Sequence, residues 1–308
     1  MIKDKDKEKN FLSAVVYVHN SENEIGSFID RLYKQLNENF LKFEIICVND
    51  ASTDNSVEVL KKQADVLEKG VISIVHMSFY QGLELSMNAG VDLSIGDFVL
   101  QFDTVNKSIP IEMLMDVYKK SLTGYDIVSV VPKHGSKTTS KMFYDIFNAY
   151  SNKHYPLQTE CFHIISRRAI NRCQDLSKTV PYRKAVYADC GLKIATIESD
   201  VTMIAESNRS IDTAIDALIL FTSAATRMSF YLTVLFMIAC LIVVGYVVTI
   251  YLSGSPVLGW TTTMLFMSFG FLSIFVMLGV TLKYLSVIID LVFKNKTYVT
   301  EAIDKLTK

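Results

Sequence analysis

Apolar runs alternate with amphipathic stretches through the first two hundred residues. Residues 12–18 are apolar almost throughout, and the polar cluster His19-Asn20-Ser21-Glu22 follows them. Next come Ile25, Phe28, Ile29, Leu32 and Leu36, spaced to share one face of a helix. The pattern predicts strand, loop, helix, and it recurs. Residues 44–48 read as a second strand, 49–54 as a polar loop, and 57–67 as a helix with Ser56 or Asp54 as its N-cap. A third strand is predicted at 71–75, a helix at 83–93, a fourth strand at 98–102 ending on Asp103, and a fifth at 127–131. Short, wholly apolar strands separated by amphipathic helices predict an α/β domain with a mainly parallel sheet covered on both faces. In such sheets ligands bind beyond the carboxyl ends of the strands, near the point where strand order reverses. That rule singles out three loops, at 20–22, 49–54 and 103–107.

The rear of the chain changes character. Residues 229–252 and 262–282 carry no charged side chain, and each approaches or exceeds the ~20 residues a helix needs to cross ~30 Å of hydrocarbon. Arg227 precedes the first span, Lys283, Lys294 and Lys296 follow the second, and the turn between them is uncharged. The bias of positive charge toward the cytoplasm then puts both termini on that side, with Tyr251, Pro256 and Trp260 at the far interface. The expected organisation is a disordered, charged tail at 1–10, the α/β domain at 11–210, an interfacial helical region at 211–228, a two-helix transmembrane anchor at 229–293, and a cytoplasmic tail at 294–308. The expected location is the inner, cytoplasmic membrane.

Composition narrows the function classes. The 308 residues are 50% hydrophobic with net charge −1, which leaves no basic surface for nucleic acid. Five cysteines occur without a C-x-x-C pair, and Cys240 lies inside a predicted span. Neither a disulfide framework nor a zinc site is expected. No histidine pair has metal-ligand spacing, and no G-x-S-x-G, P-loop or G-x-G-x-x-G is present.

The three loops carry a resemblance. Val48-Asn49-Asp50-Ala51-Ser52-Thr53-Asp54 resembles the V-D-D-G-S-x-D loop of family 2 glycosyltransferases with the GT-A fold, a Rossmann-like, mainly parallel architecture. Asn20 and Glu22 stand where that family has Asn-Glu-Glu. Gly82, Ala89-Gly90 and Gly96-Asp97 match further landmarks, with Tyr80 in place of the usual Asn, and Phe102-Asp103 falls where the D-x-D opens. A lysine-studded stretch before Phe143-Tyr144-Asp145-Ile146-Phe147-Asn148, the 162–168 segment, the two spans and Lys296-Thr297-Tyr298-Val299 look like the polyprenyl-phosphate branch, which includes dolichol-phosphate mannose synthase and bactoprenol glucosyltransferases.

The resemblance implies transfer of a sugar from a nucleotide sugar, a UDP-sugar favoured, to a polyprenyl phosphate at the cytoplasmic membrane face, in assembly of a cell-envelope polysaccharide by an enzyme that forms homo-oligomers. It implies that Asp50, with Asn20, Glu22 and Ser52, holds the donor's nucleoside. A plainer role stays open, because Asp50, Ser52 and Asp54 also suit a loop organised by bonds to its own backbone. Asp103 is the expected metal and catalytic carboxylate, but the triplet reads Asp103-Thr104-Val105, and Val105 cannot ligate Mg²⁺ or Mn²⁺. One alternative is a metal-independent enzyme in which the Lys107 ammonium offsets the charge of the diphosphate. Another is a pseudo-glycosyltransferase that binds a nucleotide sugar or scaffolds a partner.

Cys161 replaces the carboxylate that relatives place before Phe162. A lipid phosphate already carries negative charge at neutral pH and attacks without a base; a hydroxyl acceptor would need one, with Glu160 as the substitute. His163 reads as a packing residue. For the acceptor phosphate, Lys133, Lys137 and Lys141 are the candidates, joined by Arg209, the remnant of an arginine-rich family signature; attraction to anionic lipid is the alternative for the lysines.

Overall fold

The computed structural model describes residues 7–67, 69–134, 144–145, 147–149, 155–176, 182–202, 231, 235, 238, 242, 259–293 and 298–306. An eight-stranded sheet runs through the molecule in the order β7-β5-β6-β4-β1-β2-β3-β8. Its strands are β1 (Leu12–Val18), β2 (Phe43–Asn49), β3 (Val71–Met77), β4 (Phe98–Phe102), β5 (Ile127–His134), β6 (Phe162–Ser166), β7 (Ile194–Thr202) and β8 (Thr300–Leu306). Pairing is parallel across β4, β1, β2 and β3 and between β5 and β7; β6 lies antiparallel between β4 and β5, and β8 antiparallel on β3. Strand order reverses between β1 and β4, so the loops that leave β1, β2 and β4 open side by side on one rim.

The continuous apolar runs have a direct cause. Leu12, Ala14, Val16 and Val18 of β1 join one core, with α1 (Ile25–Asn39) and α4 (Leu114–Leu122), while Val15 and Tyr17 join a second core on the opposite face. That second core is built by α3 (Leu83–Leu93), α5 (Arg167–Leu176) and α6 (Arg183–Asp189). Both faces of β1, and likewise of β2 and β4, are therefore buried and both need apolar residues. Helix α1 turns Ile25, Phe28, Ile29, Leu32 and Leu36 inward, as the periodicity predicts, and α2 (Ser56–Val66) buries Leu60. Gly90 lets α3 lie close on the sheet, because a Cβ there would stand 2.4 Å from Val15 Cγ1 and 2.7 Å from Val48 Cγ2.

Three strands go beyond the sequence reading. The sequence marks β6 only as part of a family-like segment, and β7 and β8 are edge strands whose burial is partial, so their apolar signal is weak. β8 occupies residues expected to form a cytoplasmic tail. At the other end, residues 7–10 are not loose: Glu8 bridges to Phe40, its N–H donating to the Asn39 carbonyl at 2.8 Å.

A 34-residue helix, α7 (Trp260–Phe293), contains the second expected span. Among the described residues no helix is long and apolar enough to cross a membrane, so the two transmembrane helices are not established by the fold. Of the first span only residues 231, 235, 238 and 242 are described, all helical.

Candidate active site

The loops after β1 and β2 are locked into each other. Asn20 takes φ 48°, in the left-handed region that Asn tolerates. Its N–H donates to Ser52 Oγ at 3.1 Å, and its Oδ1 accepts the Thr53 N–H at 2.8 Å. Glu22 Oε2 accepts from the Asn55 N–H and Nδ2 at 3.0 and 2.9 Å, while the Glu22 N–H donates to Asp54 Oδ2 at 2.9 Å. Asp54 Oδ1 takes the N–H and hydroxyl of Ser56 at 3.0 and 2.5 Å at the first turn of α2, whose N-cap is Asn55 and not the expected Ser56 or Asp54. Burial works against its charge, but the Ser56 bonds and the Glu22 N–H outweigh it and hold this carboxyl below the usual range. Asn20, Glu22 and Ser52 thus stand together at the rim.

Asp50 lies beneath them, fully buried. Its carboxylate accepts the Tyr17 hydroxyl at 2.9 Å and the N–H groups of Gln81 and Gly82, each at 2.8 Å. Gly82 reaches this position with φ 84°, a conformation that suits glycine. Tyr17 is driven to a higher pKa by burial first and then by the Asp50 charge. Asp50 therefore fastens β1 and the β3–α3 loop to the end of β2, and forms the floor under the Asn20–Ser52 loops.

Beyond β4 the rim becomes ionic. Arg183, 1% exposed, donates to Glu84 Oε2 through its N–H at 3.0 Å and its Nε at 2.9 Å, to Asp103 Oδ1 at 2.8 Å, and to Gln101 Oε1. Lys184 Nζ lies 3.5 Å from Asp103 Oδ2 and 3.2 Å from Glu160 Oε2, and His163 Nδ1 is 3.4 Å from the same Glu160 oxygen. Burial alone would weaken the Arg183 charge, and Glu84 and Asp103 more than reverse that. Burial alone would raise Glu160, yet Lys184 and His163 hold it at about 2. Three carboxylates face two cations here, each ion paired with an opposite charge, as buried charge requires, although Glu84 Oε1 is buried without a hydrogen-bond partner among the described residues. The sequence reading missed Arg183 and Lys184. The available signal was two adjacent cations set in the apolar stretch around Tyr182, Ala185 and Val186, all of which are buried.

The remaining candidates divide between the rim and the core. Lys107 is exposed on the loop after Asp103, and that loop is pinned by Arg31, which donates to the carbonyls of Lys107 and Ile109 at 2.9 and 2.7 Å. Val105 is 3% exposed and part of the apolar core. Cys161 is buried, which pushes its thiol up to about 11. Lys133, at the end of β5, pairs with Asp200 at 3.2 Å and lines a cavity of about 320 Å³ with Tyr144, Asn148 and Thr159. Lys137, Lys141 and Arg209 lie outside the described residues. For a divalent cation the fit is poor: Asp103 already faces two cations, Val105 is a core residue, and no three His, Cys, Asp or Glu side chains converge as a cage among the described residues.

Comparison with known proteins agrees with this architecture. Residues 13–174 match the model of Glycosyl transferase family 2. An uncharacterized glycosyltransferase of Synechocystis sp. is 29% identical over 189 residues, 59% of this chain and 58% of that protein. An undecaprenyl-phosphate 4-deoxy-4-formamido-L-arabinose transferase of Pectobacterium atrosepticum is 29% identical over 207 residues, 64% of this chain and 60% of that protein. The match thus spans less than two thirds of these relatives' own length. Among solved structures, a mannosyltransferase of Pyrobaculum calidifontis in complex with GDP-Man and Mn²⁺ superposes with a TM-score of 0.50 at 17% identity, over 71% of this chain and 65% of that one. With the family model matched over more than half of this chain and the mainly parallel sheet in place, the chain belongs to glycosyl transferase family 2.

Proposed function

We propose that this glycosyltransferase moves a sugar from a nucleoside diphosphate donor, a UDP-sugar by preference, to the phosphate of a polyprenyl lipid at the cytoplasmic face of the inner membrane. The observation that carries the reading is the alignment of three unlike sites along one rim. The Asn20–Ser52 loops lie at β1 and β2, Asp103 and Lys107 at β4, and the Lys133 cavity at β5, all parallel strands. A donor laid over β2, β1 and β4 directs its anomeric carbon toward β5. At ~4.8 Å per strand, Lys133 is about 10 Å from the Asp103 strand, across β6. The lipid phosphate oxygen forms the new bond to the anomeric carbon as the bond to the diphosphate breaks, the diphosphate leaving with the electron pair and the configuration inverting. Lys107, presented by the Arg31-pinned loop, faces the departing charge. Asn20, Glu22 and Ser52 hold the nucleoside over the floor that Asp50 builds.

Membrane attachment is part of the proposal. Along α7 the described apolar side chains Met267, Phe271, Ile274, Leu278, Leu282 and Ile288 are exposed, which suits contact with lipid. The undecaprenyl-phosphate relatives support the acceptor class. The test offers radiolabelled UDP- or GDP-sugars with undecaprenyl phosphate, with and without EDTA. Label is expected in the lipid fraction, and Lys107→Ala is expected to lower kcat by about 10²-fold. Donor binding with no lipid label under any condition would sink the acceptor assignment, and loss of all label in EDTA would sink the role of Lys107.

A further inference from the structure

The β3–α3 loop is gripped from two sides. On one side its Gln81 and Gly82 N–H groups hold Asp50. On the other, the Gln81 side chain exchanges two bonds with the backbone of Val299, Nε2 donating to the carbonyl at 2.7 Å and Oε1 accepting the N–H at 3.0 Å. The same Val299 carbonyl accepts the Ser78 N–H at 3.0 Å. Val299 is itself fixed: β8 continues from it along β3, pairing Thr300 with Met77 through Leu306 with Ile72. Just before it, Tyr298 packs on the second core and bonds Asp92 of α3.

Between these two grips sits Tyr80. It is 55% exposed, and its ring centroid lies 4.8 Å from that of His19. An exposed aromatic ring packed on His19 and carried next to the anchored Gln81 is a pre-formed wall for a flat ligand. Its place fits a nucleobase. Tyr80 leaves from β3 and the Lys107 loop from β4, three strands apart and therefore about 14 Å across the rim, so the two suit the base end and the diphosphate end of one extended nucleotide.

We propose that the segment leading into β8 is a working part of donor binding, in which Val299, acting through Gln81, sets the 78–82 loop so that the Tyr80 ring lines the nucleobase end of the site. The inference rests on the nucleotide-sugar reading above and adds a binding residue, Tyr80, and a positioning residue, Gln81.

Titration of the full chain with UDP and with GDP tests it, alongside donor kinetics. Tyr80→Ala is expected to weaken the tighter nucleotide about tenfold, and Tyr80→Phe to stay within about twofold, because the ring supplies the stacking. Gln81→Ala should raise the donor KM and nucleotide Kd about three- to tenfold with kcat within about twofold, since uniform binding is what it removes. Asp304→Asn, which loosens β8 only at its Lys61 and His76 contacts, should bind as the unaltered chain does. Unchanged affinity in Tyr80→Ala overturns the nucleobase wall, and unchanged affinity in Gln81→Ala overturns the clamp. Should Gln81→Ala fail to fold, hydrogen exchange of the unaltered chain decides: bound UDP or GDP must slow exchange at both 78–82 and 298–306, and protection of neither overturns the proposal. An unaltered chain that binds neither nucleotide overturns the donor reading itself, and this proposal with it.

Discussion

Lys184 stands between two carboxylates, Asp103 and Glu160, and is almost fully buried. Replacing it with Met leaves both acids facing an apolar stem, a change that costs about 3–5 kcal/mol in comparable buried pairs. The pH profile gives the sign. Glu160 sits at about 2 against an ordinary 4.5, so its contribution is complete above pH 4.5 and disappears as the pH falls through 2. In Lys184→Met the largest lowering influence is gone while burial still raises the group, so acid unfolding followed by circular dichroism should begin at a distinctly higher pH. An unchanged acid limb would mean that the Glu160 charge does not depend on this lysine. Residue identities at the rim were legible where a motif or a polar cluster marked them, as with Asn20, Asp50 and Asp103. The partners of Asp103 were not, because Arg183 and Lys184 arrive from a helix 80 residues further along, and only the folded sheet reveals that they meet.

At the scale of elements the β1-to-β5 pattern could be read in advance because each strand buries both faces, which forces an uninterrupted apolar run. β7 and β8 escaped the same reading because an edge strand answers to one neighbour and tolerates polar positions. The packing of α3 makes a direct prediction. Gly90→Ala puts a methyl group where Val15 and Val48 already lie within 2.7 Å, and is expected to cost about 1–3 kcal/mol through overpacking. Urea unfolding should show a lower midpoint with an unchanged slope. A midpoint equal to that of the unaltered chain would mean that the helix shifts freely on the sheet.

At the scale of the whole molecule, the proposed function requires the sheet domain to sit against lipid. The sequence pattern marks two long apolar spans, whereas the described residues hold one long helix, α7, with apolar side chains facing outward. The proposal predicts that the full chain floats with phospholipid vesicles in a density gradient and stays with them through alkaline carbonate washing. Release by carbonate would show peripheral attachment and remove the reason for a lipid acceptor.

The β3 edge is closed by a segment that follows it at a distance: Gln81 and Val299 are 218 positions apart. At roughly 5–20 residues per second on the ribosome, β3 waits about 10–40 s for its last neighbour. Throughout that interval a parallel sheet with an unpaired flank is exposed to other nascent chains, and the helix α7 emerges before the flank is sealed. Expression of this protein should therefore respond to chaperones that shield unpaired strands during translation, and a slower ribosome should lower the yield of soluble or membrane-bound product by lengthening the wait.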